Sequence, residues 1–410
     1  MQFDRRTFIR QTAGAAAVVA FMPDLSLASR LAGADPLQLA VIGAGRQGRA
    51  ILAELQKMPA CKVIAVCDSD DSRLQSGLRR SQNAEGFADY KAMLDKKKEI
   101  QGIIVATPTH LHRQIALDCI AAGKHVYCEA PLASTVEDSR AIAAAAGKAK
   151  TVFAVGLEGR SNPIYKLART FYKSDAFRDL ISVNAQHHQK NSWRIASGDS
   201  AKDKEVNWRL DAAVSTGLMG ELGAQQFDVV HWYLGAYPTV IRGYGDVRFY
   251  KDDGRKVADT ASCDMLFSNG VRLHYQATLA NSFQGRHEIF SGSNAAFKLA
   301  WTHGWMFKEA DAPTQGWEVY ANRQQFGNEE GITLIADATK LASQGKLKDG
   351  VGLPNPSLYY ALEDFAASVL TGKPPTCSAE EGMRASIVAI LANKAVVTGE
   401  EIKIAESDLK

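Results

Sequence analysis

Apolar runs of strand length alternate with segments of helical spacing in the first part of the chain. The runs are Leu37–Ile42, Cys61–Cys67, Gly102–Ala106, His125–Cys128 and Thr151–Val155. A strand that is apolar along its whole length suits a sheet that helices cover on both faces. The alternation therefore predicts a doubly wound α/β domain with a parallel sheet over residues 35–156.

The rest of the chain follows a different pattern, because its strands follow one another through short turns. The predicted strands are Leu180–Gln189, Thr239–Tyr250, Ala261–Phe267 and Val271–Leu279. The predicted helices are Gly220–Leu234, Leu358–Leu370 and Ala379–Thr398. The insertion Asn191–Glu205 and residues 303–355 are polar and poorly periodic. We predict a second α/β domain over residues 157–410, with an open, largely antiparallel sheet and two closing helices.

The first apolar run leads directly into a glycine-rich turn, Gly43–Gly48, of the form Gly-x-Gly-x-x-Gly. In a dinucleotide-binding Rossmann fold, Gly43 permits the tight turn, Gly45 lets the backbone approach a pyrophosphate, and Gly48 lets helix and strand pack closely. The diphosphate then faces the free N–H groups and the positive end of the helix. The residues predicted to bind the cofactor here are Gly43, Gly45, Arg46 and Gln47.

An acidic residue, Asp68, ends the second strand 20 residues after Gly48. A carboxylate at this place accepts hydrogen bonds from both ribose hydroxyls of NAD and repels the 2′-phosphate of NADP, so we predict NAD in preference to NADP. Ligands of doubly wound sheets bind at the carboxyl ends of the strands. The residues predicted to complete the cofactor site from those ends are Thr107, Pro108, His112 and Glu129.

Residues 1–34 have the composition of a targeting segment. Asp4–Arg10 resembles a twin-arginine export motif, and the apolar stretch Ala13–Met22 behind it is too short to span a bilayer. Two small-x-Ala sites, which end at Ala28 and at Ala34, suit signal cleavage. Because the twin-arginine route exports folded proteins, we predict a periplasmic enzyme that keeps its cofactor and has no stable membrane span after processing.

Composition and charge exclude several kinds of partner. The chain has 410 residues, of which 46% are hydrophobic and 23% charged, as in an ordinary soluble two-domain protein. A net charge of +3 without a basic stripe predicts no nucleic-acid partner. The six cysteines lack the spacing of a disulfide framework, and the histidines form no pair suited to zinc, so we predict no metal.

Several of these motifs together resemble the glucose–fructose oxidoreductase, inositol dehydrogenase and rhizopine-catabolism family, written Gfo/Idh/MocA. The residues that carry the resemblance are Gly43–Gly48, Asp68, Ala106–Thr109 with His112, Ala122–Glu129, Asn207–Asp211 and the Gly220–Trp232 helix. The resemblance implies a Rossmann domain, then an α/β domain whose open sheet often serves oligomerisation. It also implies NAD- or NADP-dependent chemistry on sugars, polyols or glycosides. We expect a carbohydrate-type substrate and a homo-oligomer through the open sheet, with a different protein as an alternative partner.

Two positions depart from the residues that this family usually has. Ala130 stands where the family usually has the lysine of Glu-Lys-Pro, and Gln225, four residues after Glu221, stands where it usually has a histidine. An alcohol that loses a hydride must also lose a proton, and neither side chain accepts one at neutral pH. If the protein is an active dehydrogenase, another residue must act as the base.

Each candidate for the base also has a structural alternative, as a core, capping or surface residue. The candidates are Asp228, His231, His188 and Tyr165. His187 and His188 point to opposite faces of one strand, so only one of them reaches a site, and we prefer His188. The residues predicted to bind substrate are Gln225, Arg160, Arg209 and Glu221. A salt bridge would account for Arg209 equally well.

Three functions remain open from the sequence. The leading hypothesis is an NAD(P)-dependent oxidoreductase for a sugar, polyol or glycoside, with an unconventional base and a tightly held cofactor. The second is a glycosidase or lyase that oxidises a ring hydroxyl transiently, eliminates across the next bond, adds water and reduces the product again. The third is a non-catalytic, cofactor-stabilised partner subunit. Net NADH formation would support the oxidoreductase, and glycoside cleavage without added NAD would support the glycosidase or lyase. Neither activity is expected of a non-catalytic subunit.

Overall fold

A parallel sheet of six strands forms the N-terminal part of the described chain. The computed structural model describes residues 35–336 and 352–410, so the predicted export segment lies outside the described residues. The strands are β1 (Leu37–Ile42), β2 (Cys61–Cys67), β3 (Glu85–Phe87), β4 (Gly102–Val105), β5 (His125–Glu129) and β6 (Phe153–Gly156). Their order, β3-β2-β1-β4-β5-β6, is that of a dinucleotide-binding doubly wound sheet. This confirms the predicted fold class of the first domain.

Helices cover this sheet and explain its continuous apolar strands. They are α1 (Arg46–Leu55), α2 (Asp71–Leu78), α3 (Tyr90–Lys96), α4 (His112–Ala121) and α5 (Val136–Lys148). Side chains of Asp70, Asp89 and Thr135 accept hydrogen bonds from the first turns of α2, α3 and α5, which fixes where these helices begin. All four residues of β4 are buried because helices lie on both of its faces.

The second sheet has ten strands and is largely antiparallel. The strands are β7 (Leu180–His188), β8 (Pro238–Asp246), β9 (Thr260–Phe267), β10 (Arg272–Thr278), β11 (Arg286–Gly292), β12 (Ala295–Leu299), β13 (Gly304–Lys308), β14 (Arg323–Phe326), β15 (Glu329–Thr333) and β16 (Ile402–Lys403). Their order is β14-β15-β13-β12-β11-β7-β10-β9-β8-β16, and β7 and β10 pair in parallel. The predicted open sheet is confirmed. Strands β11 to β16 correspond to no predicted strand. Of these, β14 lies at the sheet edge and is mostly exposed, so its sequence lacks an apolar alternation.

One face of the second sheet packs against helices, and we call it the inner face. It carries Val183 and Ala185 of β7 and Tyr275 of β10, all buried, and the Tyr275 ring lies 4.9 Å from the ring of Phe227. The alternate residues of β10, such as His274, are exposed on the outer face. The predicted homo-oligomer would have to use this polar outer face.

The remaining helices connect the two sheets. They are α6 (Pro163–Tyr172), α7 (Ser200–Val206), α8 (Ala224–Leu234), α9 (Ser357–Thr371) and α10 (Ala379–Thr398), and a π-helical turn, Met219–Gly223, leads into α8. Leu362 and Phe365 of α9 share a core with Leu37 and Leu39 of β1, so α9 returns to the first sheet although the sequence assigns it to the second domain. No helix of the described ranges is long and apolar enough to cross a membrane.

Candidate active site

The glycine-rich turn between β1 and α1 has the backbone geometry that a diphosphate needs. Gly43 has φ +95°, and a Cβ there would lie 2.6 Å from the carbonyl oxygen of Ala106. A Cβ on Gly48 would overlap the Gly43 carbonyl group. A Cβ on Gly45, by contrast, would meet no heavy atom within 4 Å. Packing therefore requires glycine at 43 and 48, while Gly45 leaves open space at the N-terminus of α1.

Polar groups without partners face this part of the molecule. Among the described residues no side chain caps α1 at Gly45, which leaves the first N–H groups of the helix available to an anion. Arg46 is exposed in the same turn. Thr107 Oγ1 is buried and has no hydrogen-bond partner within the described part of the chain, whereas buried hydroxyls are normally paired. These residues fit a bound dinucleotide.

His112 fixes the loop that follows β4. Its buried ring lies between the carbonyl oxygens of Thr107 and Pro131, at 3.0 and 3.1 Å. Burial lowers the pKa of His112. Pro108 begins a short 3-10 helix, Thr109–Leu111, in the same loop. A neutral ring has one N–H, so it donates to one of these two carbonyl oxygens and thereby holds the loop that follows β4.

The predicted ribose carboxylate, Asp68, is held at the end of β2. One of its oxygens accepts from Ala44 N at 2.8 Å, and the other accepts from Asp70 N and from Arg73 Nε, both at 2.9 Å. Arg73 also donates to Glu205 of α7 at 3.0 Å. The carboxylate is therefore oriented beside the glycine turn, and the insertion from the second domain reaches the same end of the site.

Two carboxyl groups meet where β5 and β6 end. Gln47 Nε2 donates to Glu129 Oε1 at 3.2 Å, which links this group to the glycine turn. Burial, and then the neighbouring Glu158 carboxylate, raise the pKa of Glu129 to about 8. Burial also raises the pKa of Glu158, and Arg286 opposes that rise. Because the two carboxylates repel each other, ionisation of one makes ionisation of the other less favourable.

Gln225 holds the backbone around this pair. Its Oε1 accepts from Glu158 N at 3.0 Å, and its Nε2 donates to Gly156 O at 2.6 Å. Both ends of the amide are therefore used within the protein. These contacts position Glu158, and they leave the Gln225 amide one further N–H and one oxygen lone pair, so the predicted substrate contact stays a prediction.

The inner face of the second sheet meets Glu158 through Arg286. Arg286 pairs across strands with His187, and Arg286 Nη2 lies 3.9 Å from Glu158 Oε2. Burial, and then Arg286, lower the pKa of His187 to about 3, so its ring is neutral. His188 lies on the outer face, where its Nδ1 contacts Gln186 Nε2 at 3.2 Å. The strand alternation therefore places His187, and not the preferred His188, on the same face as Arg286.

Asp228 and Arg160, predicted as base and substrate contact, form a buried ion pair with each other. Arg160 Nε donates to both oxygens of Asp228, at 3.1 and 2.9 Å, and Nη2 adds a bond of 2.8 Å. Arg160 Nη1 also binds Glu381 of α10. His231 Nδ1 lies 2.9 Å from Ala236 O, and its ring stacks on Tyr237. These contacts give Asp228, Arg160 and His231 a structural role.

Tyr165, another candidate for the base, lies in the core of the second domain. It is fully buried, and its hydroxyl donates to the buried Glu288 carboxylate of β11. Burial raises the pKa of Tyr165 well above its ordinary value. A phenol in this state is a poor proton acceptor, so the structural alternative accounts for Tyr165.

Glu221 and Arg209 join the two domains. The π-helical turn directs Glu221 to Thr216 Oγ1 at 2.7 Å and to Thr109 Oγ1 at 3.2 Å in the first domain. Arg209 Nε pairs with Glu221 at 3.4 Å, and its guanidinium lies 4.4 Å from the Trp208 ring. Arg209 therefore forms a salt bridge, which was one of the two alternatives for this residue in the sequence analysis.

Two family models match the chain over more than half of its length. The oxidoreductase-family model with an NAD-binding Rossmann fold matches residues 37–157, and the GFO/IDH/MocA C-terminal domain model matches residues 165–298. The chain belongs to the GFO/IDH/MocA oxidoreductase family. Membership confirms the resemblance and NAD as the cofactor, and it identifies the two sheets as those of an oxidoreductase.

Similar members of this family act on carbohydrates and polyols according to their names. Levoglucosan dehydrogenase of Pseudarthrobacter phenanthrenivorans is 27% identical over 50% of this chain, a stretch that spans 53% of that protein. Myo-inositol 2-dehydrogenase of Thermotoga maritima is 21% identical over 90% of this chain and 99% of its own length. A structure of levoglucosan dehydrogenase with NADH and levoglucosan has a TM-score of 0.72 at 17% identity and covers 91% of this chain and 100% of its own.

The sequence did not single out three residues that the structure brings to this site, and it named His187 only as the alternative to His188. The three residues are Arg73, Glu158 and Arg286. A signal existed for Glu158, because it stands two residues beyond the last parallel strand, where ligands of such sheets bind. Arg73 and Arg286 carried no comparable signal, since their neighbours at the site come from distant parts of the chain.

Proposed function

We propose that this family member is an NAD-dependent oxidoreductase that oxidises a hydroxyl-bearing carbon of a sugar, polyol or glycoside. The named activities of its relatives support the substrate class. The observation that carries the proposal is the Glu129–Glu158 pair beside the glycine turn, where Ala130 leaves no lysine. Asp68 favours NAD over NADP because its carboxylate would repel a 2′-phosphate.

Glu158 is the base in this proposal. Of the two coupled carboxyl groups, Glu158 is the one whose negative charge Arg286 stabilises, so we assign proton acceptance to Glu158. A base works best when its pKa approaches the working pH, and burial moves Glu158 in that direction. The hydroxyl proton passes to Glu158, and bound NAD supplies the acceptor for the hydride. Gln225 keeps Glu158 in place through its backbone N–H.

A substrate panel tests this function directly. Protein loaded with NAD is mixed with neutral sugars, polyols and glycosides, and nicotinamide absorbance is followed. We expect reduction with at least one compound, and a lower rate with NADP. Protein that binds NAD and gives no absorbance change with any of these compounds would contradict the proposal.

A specific observation also favours a glycosidase or lyase as the second candidate. The Glu129 carboxyl, with a pKa of about 8, carries a proton that a leaving group needs. In this scheme the hydroxyl oxidised first is restored at the end, so no net NADH forms. Cleavage of an aryl glycoside without added NAD, with deuterium entering a ring carbon from solvent, would support this candidate. Net NADH formation without cleavage would exclude it.

We further propose that the protein is exported folded to the periplasm with its cofactor bound. The Arg-Arg pair in Asp4–Arg10 and the short apolar stretch behind it support a twin-arginine route. Replacing both Arg5 and Arg6 by lysine should keep the protein in the cytoplasm, as cell fractionation would measure. Unchanged export would contradict this proposal.

The open sheet supports a homo-oligomer as a separate proposal. Its outer face carries exposed polar side chains, such as Arg272 and His274, so we expect a polar interface. Light scattering of the purified protein should give a multiple of the monomer mass. A monomer at every concentration measured, or a stable complex only with another protein, would contradict it.

A further inference from the structure

Arg286 differs from an arginine that only stabilises the fold, because its donors are free. Within the described residues its guanidinium makes no side-chain hydrogen bond, and Glu158 at 3.9 Å lies beyond hydrogen-bond distance. The side chain is 26% exposed, so it is accessible to solutes. A guanidinium has five N–H donors, and donors that are shielded from solvent are normally hydrogen-bonded.

Trp301 holds the free guanidinium flat. The Arg286 Cζ atom lies 3.3 Å from the centre of the Trp301 ring, a cation–π contact that fixes the plane of the donor fork. Trp301 itself is 5% exposed, and its carbonyl accepts from Asn162 Nδ2 at 2.6 Å. Its backbone has φ +62°, a left-handed conformation that costs a bulky residue energy. A fork held this firmly is prepared for a ligand.

The Trp301 platform and Glu158 are parts of one site. The Trp301 ring lies 3.6 Å from where a Cβ of Gly159 would be, directly after Glu158. Across the strand pair, His187 Nδ1 is buried without a hydrogen-bond partner in the described ranges. The second domain thus presents donors at Arg286 opposite an acceptor at Glu158, and this acceptor adjoins the cofactor turn through Glu129 and Gln47.

Charge at this site favours a neutral ligand. The Arg286 cation already has the Glu158 carboxylate as its counter-charge. An acidic ligand would place a second negative charge beside the Glu158 carboxylate, which costs energy in a partly buried site. A neutral ligand with one oxygen to accept and one hydroxyl to donate satisfies both residues and leaves the charges balanced.

We propose that Arg286 and Glu158 bind two neighbouring hydroxyl groups of a neutral carbohydrate, so that the substrate is a vicinal diol. Arg286 donates to the oxygen of the hydroxyl that does not react, and Glu158 accepts from the hydroxyl that does. This inference rests on the proposed function and names its substrate class. Arg286 is therefore a specificity-determining residue, supplied by the inner face of the second sheet.

Binding measurements on the NAD-loaded protein test this inference without relying on turnover. Titration calorimetry is carried out with levoglucosan and myo-inositol, with monodeoxy derivatives of each, and with glucuronate. We expect at least one of the two parent compounds to bind, and removal of either hydroxyl of one neighbouring pair to weaken binding about 10- to 100-fold. Arg286→Gln should weaken binding of the parent compound by a similar factor and leave the deoxy compound that lacks its partner hydroxyl unaffected.

Matched variants separate recognition from folding. Arg272→Gln removes an exposed arginine from the outer face of β10 and should leave binding unchanged. Arg286→Lys keeps the charge without the planar fork and should restore only part of the affinity. Circular dichroism and retained NAD would show that each variant is folded.

The outcomes also distinguish this inference from the proposed function. Tightest binding of glucuronate, no binding of either parent compound, or equal loss of affinity for parent and deoxy compounds on Arg286→Gln would overturn the inference. Diol binding that depends on Arg286 without nicotinamide reduction by any sugar would support the inference and contradict the proposed function. If NAD is reduced by a sugar and Arg286→Gln does not change the KM for that sugar, the proposed function would be supported and the inference about Arg286 would be contradicted.

Discussion

Two arginine–carboxylate groups lie beside α8, and they differ in how completely their hydrogen bonds are made. Arg160 donates three bonds to Asp228 and also binds Glu381, so both sides of this pair are satisfied. Arg286 lies 3.9 Å from Glu158 and is held by the Trp301 ring instead. The residue types are the same, but only the second group has donors and acceptors left for a ligand. Saturation of hydrogen bonds therefore separates the structural group from the functional one.

The largest expected effect comes from removing the charge of Glu158, the acceptor of the group whose hydrogen bonds are incomplete. Glu158→Gln keeps the shape of the side chain and removes the base, so we expect kcat to fall ~10²- to 10⁴-fold with little change in unfolding temperature. Glu381→Gln is the matched variant in the satisfied group and should change kcat less than about twofold. Similar losses of activity in both variants would show that saturation does not assign the roles.

The complementary prediction concerns stability. Asp228→Ala leaves the Arg160 cation buried with Glu381 as its remaining partner, so we expect the free energy of unfolding to fall by ~3–5 kcal/mol in a denaturant titration. Asp252→Ala removes an exposed carboxylate and should leave stability within about 0.5 kcal/mol. If Asp228→Ala lowers the free energy of unfolding by no more than Asp252→Ala does, the Arg160–Asp228 pair does not stabilise the fold.

The pH dependence of stability should report the crowded carboxyl pair. The pKa of Glu129 is about 8 in the folded protein, above its unfolded value of about 4.3, so the folded state holds this proton more tightly. The stabilisation linked to the Glu129 proton is fully present below about pH 4.3 and is lost as pH rises through about 8. The free energy of unfolding falls by at most ~5 kcal/mol over this range. Thermal unfolding of NAD-free Glu129→Gln should therefore depend less on pH than that of the wild type. Glu329→Gln serves as the exposed control, and equal pH dependence in all three proteins would argue against a shared proton.

The smallest predicted effect lies at the other end of the cofactor site. Glu205 and Lys202 of α7 pair with Arg73 and Asp70, at 3.0 and 3.6 Å, and so cross from the second domain to the ribose end. Glu205→Gln should raise the rate of NAD release about two- to fivefold, because exposed ion pairs contribute ~0.2–1 kcal/mol. Glu400→Gln is the exposed control, and release is measured by chasing bound NAD with excess labelled NAD. Unchanged release would leave α7 without a part in retaining the cofactor.

Local pattern was sufficient to predict the first domain and its cofactor. The steric needs of Gly43 and Gly48, the place of Asp68 after β2 and the apolar strands all act over a few residues, so they can be read along the chain. The same holds for the alternation along β9 and β10. Strand β14 was missed because it lies at a sheet edge with little apolar burial.

The identity of the site residues could not be predicted as well, because it depends on which partners satisfy which side chains. Asp228 and Tyr165 looked suited to proton transfer until Arg160 and Glu288 were found to occupy them. Gln225 is predicted from the sequence as a substrate contact, and only the structure shows that its amide also binds the backbone of Gly156 and Glu158.

The amino-acid sequence was enough to predict two sheets of different kinds and a dinucleotide site at the mouth of the first sheet. It also shows an alanine at 130 and a glutamine at 225, neither of which accepts a proton at neutral pH. Only the tertiary structure decided that Arg286, from a strand more than a hundred residues after Glu158, faces that carboxylate with its donors free. The physical reason is that a backbone turn is fixed by short-range sterics, whereas the availability of a polar group depends on every neighbour that the fold brings to it.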